Sequence, residues 1–220
     1  MQPARLSRWK GETVLRELSY FHAGKLSPCP PELLLSYLTP GERIVEIGSG
    51  TGILLAELTA HGFRAAGVEP DVDRVGLCRA AGLTVFQGAA EALPLEDECC
   101  DCAIMECVYS LCAPKPARAE LLRVLRPGGT LLLADLFAEQ PLPADATRAA
   151  LVGRLSTKAQ LEAEFQQDFL LTDFCDLTQS LRQYLLQQML FGGECALSAE
   201  DRACLRSVKP GYGLWIWKKR

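Results

Sequence analysis

The segment Ile44-Val45-Glu46-Ile47-Gly48-Ser49-Gly50-Thr51-Gly52 constrains the fold more than any other stretch of the chain. A β-branched run from Arg43 to Ile47 leads into glycine at every second position, and helical periodicity follows from Ile53 to Ala60. Glycines allow the positive φ of a tight turn and let a ligand approach the backbone. The helix behind them offers free N–H groups to a carboxylate or another anion. A nicotinamide dinucleotide loop shares this design but calls for glycine where Ile53 stands, which disfavours a hydride-transfer enzyme.

Strand and helix signals then alternate. Arg64–Val68 reads as a strand, Val72–Ala80 as a helix, Leu83–Phe86 and Asp101–Met105 as strands, and Ala117–Leu125 as a helix. Arg126 to Gly129 reads as a turn, and Thr130–Ala134 as a fifth strand. This βαβα rhythm predicts an α/β fold with a mostly parallel sheet covered by helices on both faces. Beyond it, Ala149–Gln167 and Leu181–Leu190 are expected to be helices, with strands at Leu170–Phe174 and Gly213–Trp217. Trp215 and Trp217 read as sheet packing. Ahead of the sheet, the apolar spacing from Leu6 to Phe21 and the Pro30-Pro31 step predict helices, read together as an N-terminal cap over residues 1–40. No linker-like stretch interrupts the chain, so residues 1–220 are expected to form one domain. Residues 41–136 would be its cofactor-binding half and 137–220 its substrate side.

Composition removes several functions. The chain has 220 residues, 49% hydrophobic and 23% charged, enough for a core without metal or disulfide support. A net charge of -4, with no basic stripe ahead of the terminal Lys218-Lys219-Arg220, argues against nucleic acid as a partner. No apolar run approaches a membrane span or a signal peptide, so the protein is expected to be cytoplasmic and free of membrane. Oligomeric state leaves no mark in the sequence. The ten cysteines are unusual, and without an export signal they read as reduced thiols.

A second acidic strand end, Gly67-Val68-Glu69-Pro70-Asp71, follows the glycine turn by about twenty residues. Glu69 is placed to accept ribose hydroxyls, and Asp71 to cap the next helix. Together with Val45 to Gly52, the segment Gln87-Gly88-Ala89-Ala90-Glu91-Ala92-Leu93-Pro94, the stretch Asp101 to Leu111, and Glu120-Leu121-Leu122-Arg123-Val124-Leu125-Arg126-Pro127-Gly128-Gly129, the chain resembles the class I S-adenosylmethionine-dependent methyltransferases. The resemblance implies a Rossmann-like seven-stranded sheet whose last strand is antiparallel, and S-adenosylmethionine as cofactor. It implies that Glu46, Gly48, Ser49, Gly50 and Gly52 hold the methionine part and Glu69 the ribose, with Pro70 in the same cofactor-binding set. Ala90 and Glu91 would lie on the adenine side, and Glu106 and Cys107 beside the methyl group. Where the family often carries an acid that touches the adenine amine, this chain has Ala89; backbone at Ala90, or Glu91, would take over.

The expected reaction is in-line methyl transfer to a small-molecule acceptor, for which orientation and desolvation supply most of the rate. Cys107 and His22 are the candidate catalytic residues, His22 from the cap beside Tyr20 and Phe21, and Tyr109 is a candidate pocket wall. The segment Glu106-Cys107-Val108-Tyr109-Ser110-Leu111 is similar to the strand-four signature of arsenite methyltransferases, which raises a thiol or metalloid acceptor as an alternative. That family's further cysteine beyond strand five has no counterpart in Leu151 to Leu155. Cys99 and Cys102 have C-x-x-C spacing but lack a second such pair, so no metal site is expected. A module that binds the cofactor without turnover is the remaining alternative.

Overall fold

The computed structural model describes residues 28–140, 154–191 and 209–220. The expected helix Leu6–Phe21, with His22 and most of the cap, lies outside these residues. Seven strands form one sheet in the order β3-β2-β1-β4-β5-β7-β6. They are β1 (Arg43–Ile47), β2 (Arg64–Glu69), β3 (Val85–Gln87), β4 (Cys100–Glu106), β5 (Leu125–Ala138), β6 (Phe169–Asp176) and β7 (Pro210–Lys219). β1 to β5 pair in parallel, whereas β7 runs antiparallel to both β5 and β6. The helices are α1 (Pro31–Ser36), α2 (Ile53–Ala60), α3 (Val72–Ala80), α4 (Pro114–Val124), α5 (Lys158–Phe165) and α6 (Thr178–Phe191), with a 3-10 turn at Tyr109–Leu111.

Alternation along the central strands divides the core. Val45, Ile47, Ala103, Met105, Leu131, Leu133, Trp215 and Trp217 face α4 and α5. Ile44, Cys102, Ile104, Leu132, Ala134, Tyr212, Leu214 and Ile216 face α1, α2 and α6. Both tryptophans are buried, as the sheet-packing reading requires.

Boundaries differ from expectation where long-range pairing takes over from local propensity. The turn expected at Arg126–Gly129 is drawn into β5 as an irregular stretch, because Cys100 pairs with Leu125 and Cys102 with Thr130. Helix α4 starts at Pro114 rather than Ala117, since proline suits a first helical position. Of the helix expected at Ala149–Gln167, residues 149–153 lie outside the described residues, and from Arg154 on the helix spans Lys158–Phe165. Thr157 and Gln160 form a capping box there, and Ala138 bridges to Thr157. The last two strands extend past their predicted ends because each pairs along its length.

The chain leaves β1 toward β2 and β3, then returns to place β4 on the other side of β1. In open α/β sheets, ligands bind at such a reversal, outside the carboxyl ends of the strands. Gly48 follows β1 and Cys107 follows β4 at this point.

Candidate active site at the carboxyl edge of the sheet

The turn after β1 is held by the turn after β4 and by the end of β2. Gly48 has φ +75°, and a Cβ there would stand 2.4 Å from Val108 Cγ2, so only glycine admits this packing. The Gly48 and Ser49 N–H groups donate to the Val68 carbonyl at 2.7 and 3.1 Å. Glu69, at the end of β2, accepts the Gly50 N–H at 2.8 Å through Oε2 and the Asp71 N–H at 3.1 Å through Oε1. Arg74 stands 3.8 Å from it. Asp71 caps α3 as its position suggests, accepting from Asp73 and Arg74 N–H groups at 2.9 and 3.2 Å. The Glu69 side chain is buried, and each of its oxygens keeps a second lone pair for another donor.

Beside the turn, polar atoms lack partners. Glu46 Oε2 and Ser49 Oγ are buried without a hydrogen bond. Burial pushes the Glu46 carboxyl well above the usual carboxylate range, and Glu106 and Glu69 add to the shift. A buried acceptor without a donor costs about 1–3 kcal/mol, so the place is built for something that brings donors or positive charge. The ammonium and sulfonium of S-adenosylmethionine have that character, and the residues present fit it.

The end of β4 forms the second part of the site. Cys107 takes φ +55°, a conformation costly for a side chain, and its N–H donates to the Ala134 carbonyl at 2.8 Å. The Cys107 thiol and the Tyr212 hydroxyl share a hydrogen bond of 3.3 Å. Tyr212 comes from β7, is wholly buried, and also hydrogen-bonds Glu106. Burial, with Asp135 adding to it, pushes the Glu106 carboxyl up to about 8, while the Tyr212 hydroxyl holds it down in part. Asp135 accepts the Ser110 N–H at 2.8 Å, the Ser110 hydroxyl at 2.9 Å and the Leu136 N–H at 2.7 Å. Glu69, Glu46, Glu106 and Asp135 thus stand at or near the carboxyl ends of β2, β1, β4 and β5, a group of acids along one edge of the sheet.

The cysteines sort differently from their spacing. Cys99, Cys100 and Cys102 sit at the opposite end of β4 from Cys107. Cys29 and Cys175, far apart in sequence, lie close enough to interact electrostatically, and Cys29 also feels Cys107 and Glu106. Cys175 Sγ is 3.3 Å from the Tyr37 hydroxyl, which donates to Asp173 at 2.7 Å. Cys107 is exposed, yet desolvation, Asp135 and Glu106 push its thiol well above the ordinary value, so it rests as a thiol. Among the described residues no group of three or more His, Cys, Asp or Glu side chains is placed to hold a metal ion.

Other candidates have definite places. Ala90 is buried at the turn after β3, and Pro70 is exposed. Glu91 accepts the Ala113 N–H at 2.8 Å, which ties its carboxylate to the start of α4. Tyr109 is core: its ring lies 5.0 Å from that of Phe165 and its hydroxyl donates to Glu164 at 2.8 Å. His22, Tyr20 and Phe21 fall outside the described residues. Tyr212, Cys29 and Asp135 were not candidates from sequence, because no motif marks them; only pairing of β5 with β7 brings Tyr212 to Cys107.

Residues 45–133 match the model of the methyltransferase domain family. Over this stretch the chain is similar to the S-adenosylmethionine-dependent methyltransferases. It is 34% identical over 106 residues to an uncharacterized methyltransferase of Mycobacterium bovis, covering 46% of this chain and 43% of that protein. It is 34% identical over 133 residues to the phthiotriol/phenolphthiotriol dimycocerosates methyltransferase of Mycobacterium tuberculosis, covering 56% and 49%. The chain therefore spans less than half the length of these relatives. Among solved structures, geranyl diphosphate C-methyltransferase of Streptomyces coelicolor, in complex with Mg2+, geranyl diphosphate and S-adenosylhomocysteine, superposes with a TM-score of 0.73 at 13% identity. That match covers 86% of this chain and 76% of the other. At such identity the likeness concerns the fold. Among the described residues no helix is long and apolar enough to cross a membrane.

Proposed function

We propose that this protein binds S-adenosylmethionine along the carboxyl edge of β2, β1 and β4 and methylates a small-molecule acceptor seated over the end of β4. The observation that carries the reading is the pair of unpartnered buried atoms, Glu46 Oε2 and Ser49 Oγ, beside a glycine turn held by Glu69. When bound, the cofactor supplies an electrophilic methyl on a cationic sulfur. Glu46 would meet its ammonium group and Glu69 its ribose hydroxyls. The backbone around Ala90 would border the adenine, with Pro70 at the rim. Glu106 would serve a protic acceptor as proton acceptor: a carboxyl near 8 is mostly neutral at pH 7, and a neighbouring cation lowers it into the range of proton exchange. Tyr212 would hold Glu106 and Cys107 in place, with Cys107 lining the pocket. The resting thiol of Cys107 favours this lining role over that of a metalloid ligand.

Calorimetric titration with S-adenosylhomocysteine and with NAD tests the cofactor, and incubation with labelled S-adenosylmethionine across amines, phenols, thiols and arsenite tests the acceptor. Binding of S-adenosylhomocysteine with transfer to at least one acceptor is the expected result. Binding of NAD alone would refute the reading, and cofactor binding without transfer to any acceptor would favour a binding module.

A further inference from the structure

The turn after β3 is held by an ion pair on α4. Glu120 Oε2 accepts the Leu93 N–H at 2.6 Å, and Arg123 Nη2 donates to the Leu93 carbonyl at 3.0 Å. Two side chains three residues apart thus satisfy both backbone groups of one residue, as a neighbouring strand would. Arg123 Nη1 donates further to the Leu95 carbonyl at 2.6 Å and to Asp97 at 2.9 Å. Bonds of 2.8 and 2.7 Å lock the guanidinium to Glu120. The pair is partly buried, with side-chain exposures of 29% and 18%, so its hydrogen bonds are less open to competition by water than those of a surface pair.

What the pair holds is the short turn bordering the proposed adenine position. Ala92 N–H donates to the Ala89 carbonyl at 3.0 Å, and Gly88 N–H donates to the Glu69 carbonyl at 3.1 Å. A Cβ on Gly88 would stand 2.5 Å from Pro94 Cδ, so the turn is folded tightly on itself. It is therefore anchored at one end by β2 and at the other by Arg123 and Glu120. Within it, Ala89 offers no side-chain acceptor, and the Glu91 carboxylate is engaged by the Ala113 N–H. Recognition of the adenine edge then falls to backbone groups of residues 89–91, whose aim depends on what holds them.

We infer that Arg123, with Glu120, is a positioning residue for adenine recognition, and that this clamp supplies the base discrimination a side chain at position 89 would otherwise give. The inference rests on the cofactor reading above. Its test is calorimetric titration of S-adenosylhomocysteine and of S-inosylhomocysteine, whose ring amine is replaced by a carbonyl, into wild type, Arg123→Ala, Arg123→Lys and Glu120→Ala. Wild type should prefer the adenosyl ligand. Arg123→Ala should weaken that ligand about ten- to thirtyfold and leave the inosyl analogue nearly unchanged, so that the preference collapses. Arg123→Lys should restore part of it. Unchanged adenosyl affinity, or equal losses for both ligands, would overturn the inference, because a merely structural clamp affects both alike. A wild type that binds the two ligands equally would overturn it too. Should Arg123→Ala fail to fold, Glu120→Ala carries the same comparison. Failure of wild type to bind S-adenosylhomocysteine at all would instead overturn the cofactor reading on which the inference stands.

Discussion

The two ends of β4 present carboxylates in opposite electrostatic settings. At the amino end, Asp101 accepts the Arg43 N–H at 2.8 Å, Arg43 Nε at 3.0 Å and Nη2 at 3.2 Å, and Arg126 Nε at 2.6 Å. The Arg43 guanidinium holds its carboxyl well below the usual range. At the carboxyl end, five residues along the strand, Glu106 is pushed up to about 8 by burial and by Asp135. The first carboxylate is matched by the fold itself and ties β1, β4 and β5 together. The second is buried beside Asp135 and held by the Tyr212 hydroxyl, so its neutral form is favoured. One end of the strand is ion-paired, and the other belongs to the proposed site.

Breaking the carboxyl end sterically should have the largest effect. In Gly48→Ala the new Cβ meets Val108 in a backbone conformation that opposes any side chain, so S-adenosylhomocysteine titration should show no binding. A stability loss of about 1–3 kcal/mol should appear in urea unfolding. Binding with wild-type affinity would mean that the two turns do not form the site.

Breaking the amino end should cost stability and spare binding. Asp101→Ala removes the acceptor for two guanidinia, and urea melts should show a loss of about 2–3 kcal/mol at pH 7, with cofactor affinity changed less than about twofold. The acid limb sharpens the contrast. A carboxyl whose folded pKa is depressed contributes stability that is present above the unfolded value of about 4 and is lost as pH falls through the folded one. Asp101→Ala should therefore flatten the stability profile below pH 4. An unchanged acid limb would show that the Arg43 contacts are not formed in solution.

Glu106 should behave in the opposite sense. Its raised pKa means that the folded protein binds more protons than the unfolded one between about pH 4.5 and 8, so its contribution falls as pH rises across that window. Glu106→Gln should unfold at higher urea than wild type at pH 9, by on the order of 2 kcal/mol, and show little difference at pH 4. Equal stability of the two at pH 9 would remove the desolvated carboxyl from the account. The smallest effect is expected from Tyr212→Phe, about 1 kcal/mol. Because the Tyr212 hydroxyl lowers the Cys107 pKa, its loss should slow alkylation of Cys107 by iodoacetamide, read by mass spectrometry. Faster alkylation would reverse the assigned role of that hydrogen bond.

Much of this architecture was legible because its signals are local. Alternating β-branched runs, the glycine turn and the Asp71 cap each occupy a few adjacent residues, and the structure has them where the pattern predicts. The difference at Arg126–Gly129 arises where a distant partner overrides propensity, since pairing with β4 absorbs the turn into β5. Cysteines close in sequence are apart in space, because an extended strand separates Cys100 from Cys107 by about 20 Å. Cys29 and Cys175, far apart in sequence, interact because Tyr37, just after α1, is hydrogen-bonded to Asp173 and lies against Cys175 of β6.

The sequence by itself determined the class of fold and the turns at the carboxyl edge of its sheet, since a strand, its glycine turn and the acid one strand later are set by short-range pattern. Only the tertiary structure decided what stands opposite Cys107, which carboxyl is lowered and which is raised, and that Glu120 and Arg123 hold the turn after β3. Those outcomes depend on burial and on partners contributed by other strands and helices. Desolvation and hydrogen-bond geometry exist only once the chain has closed around them.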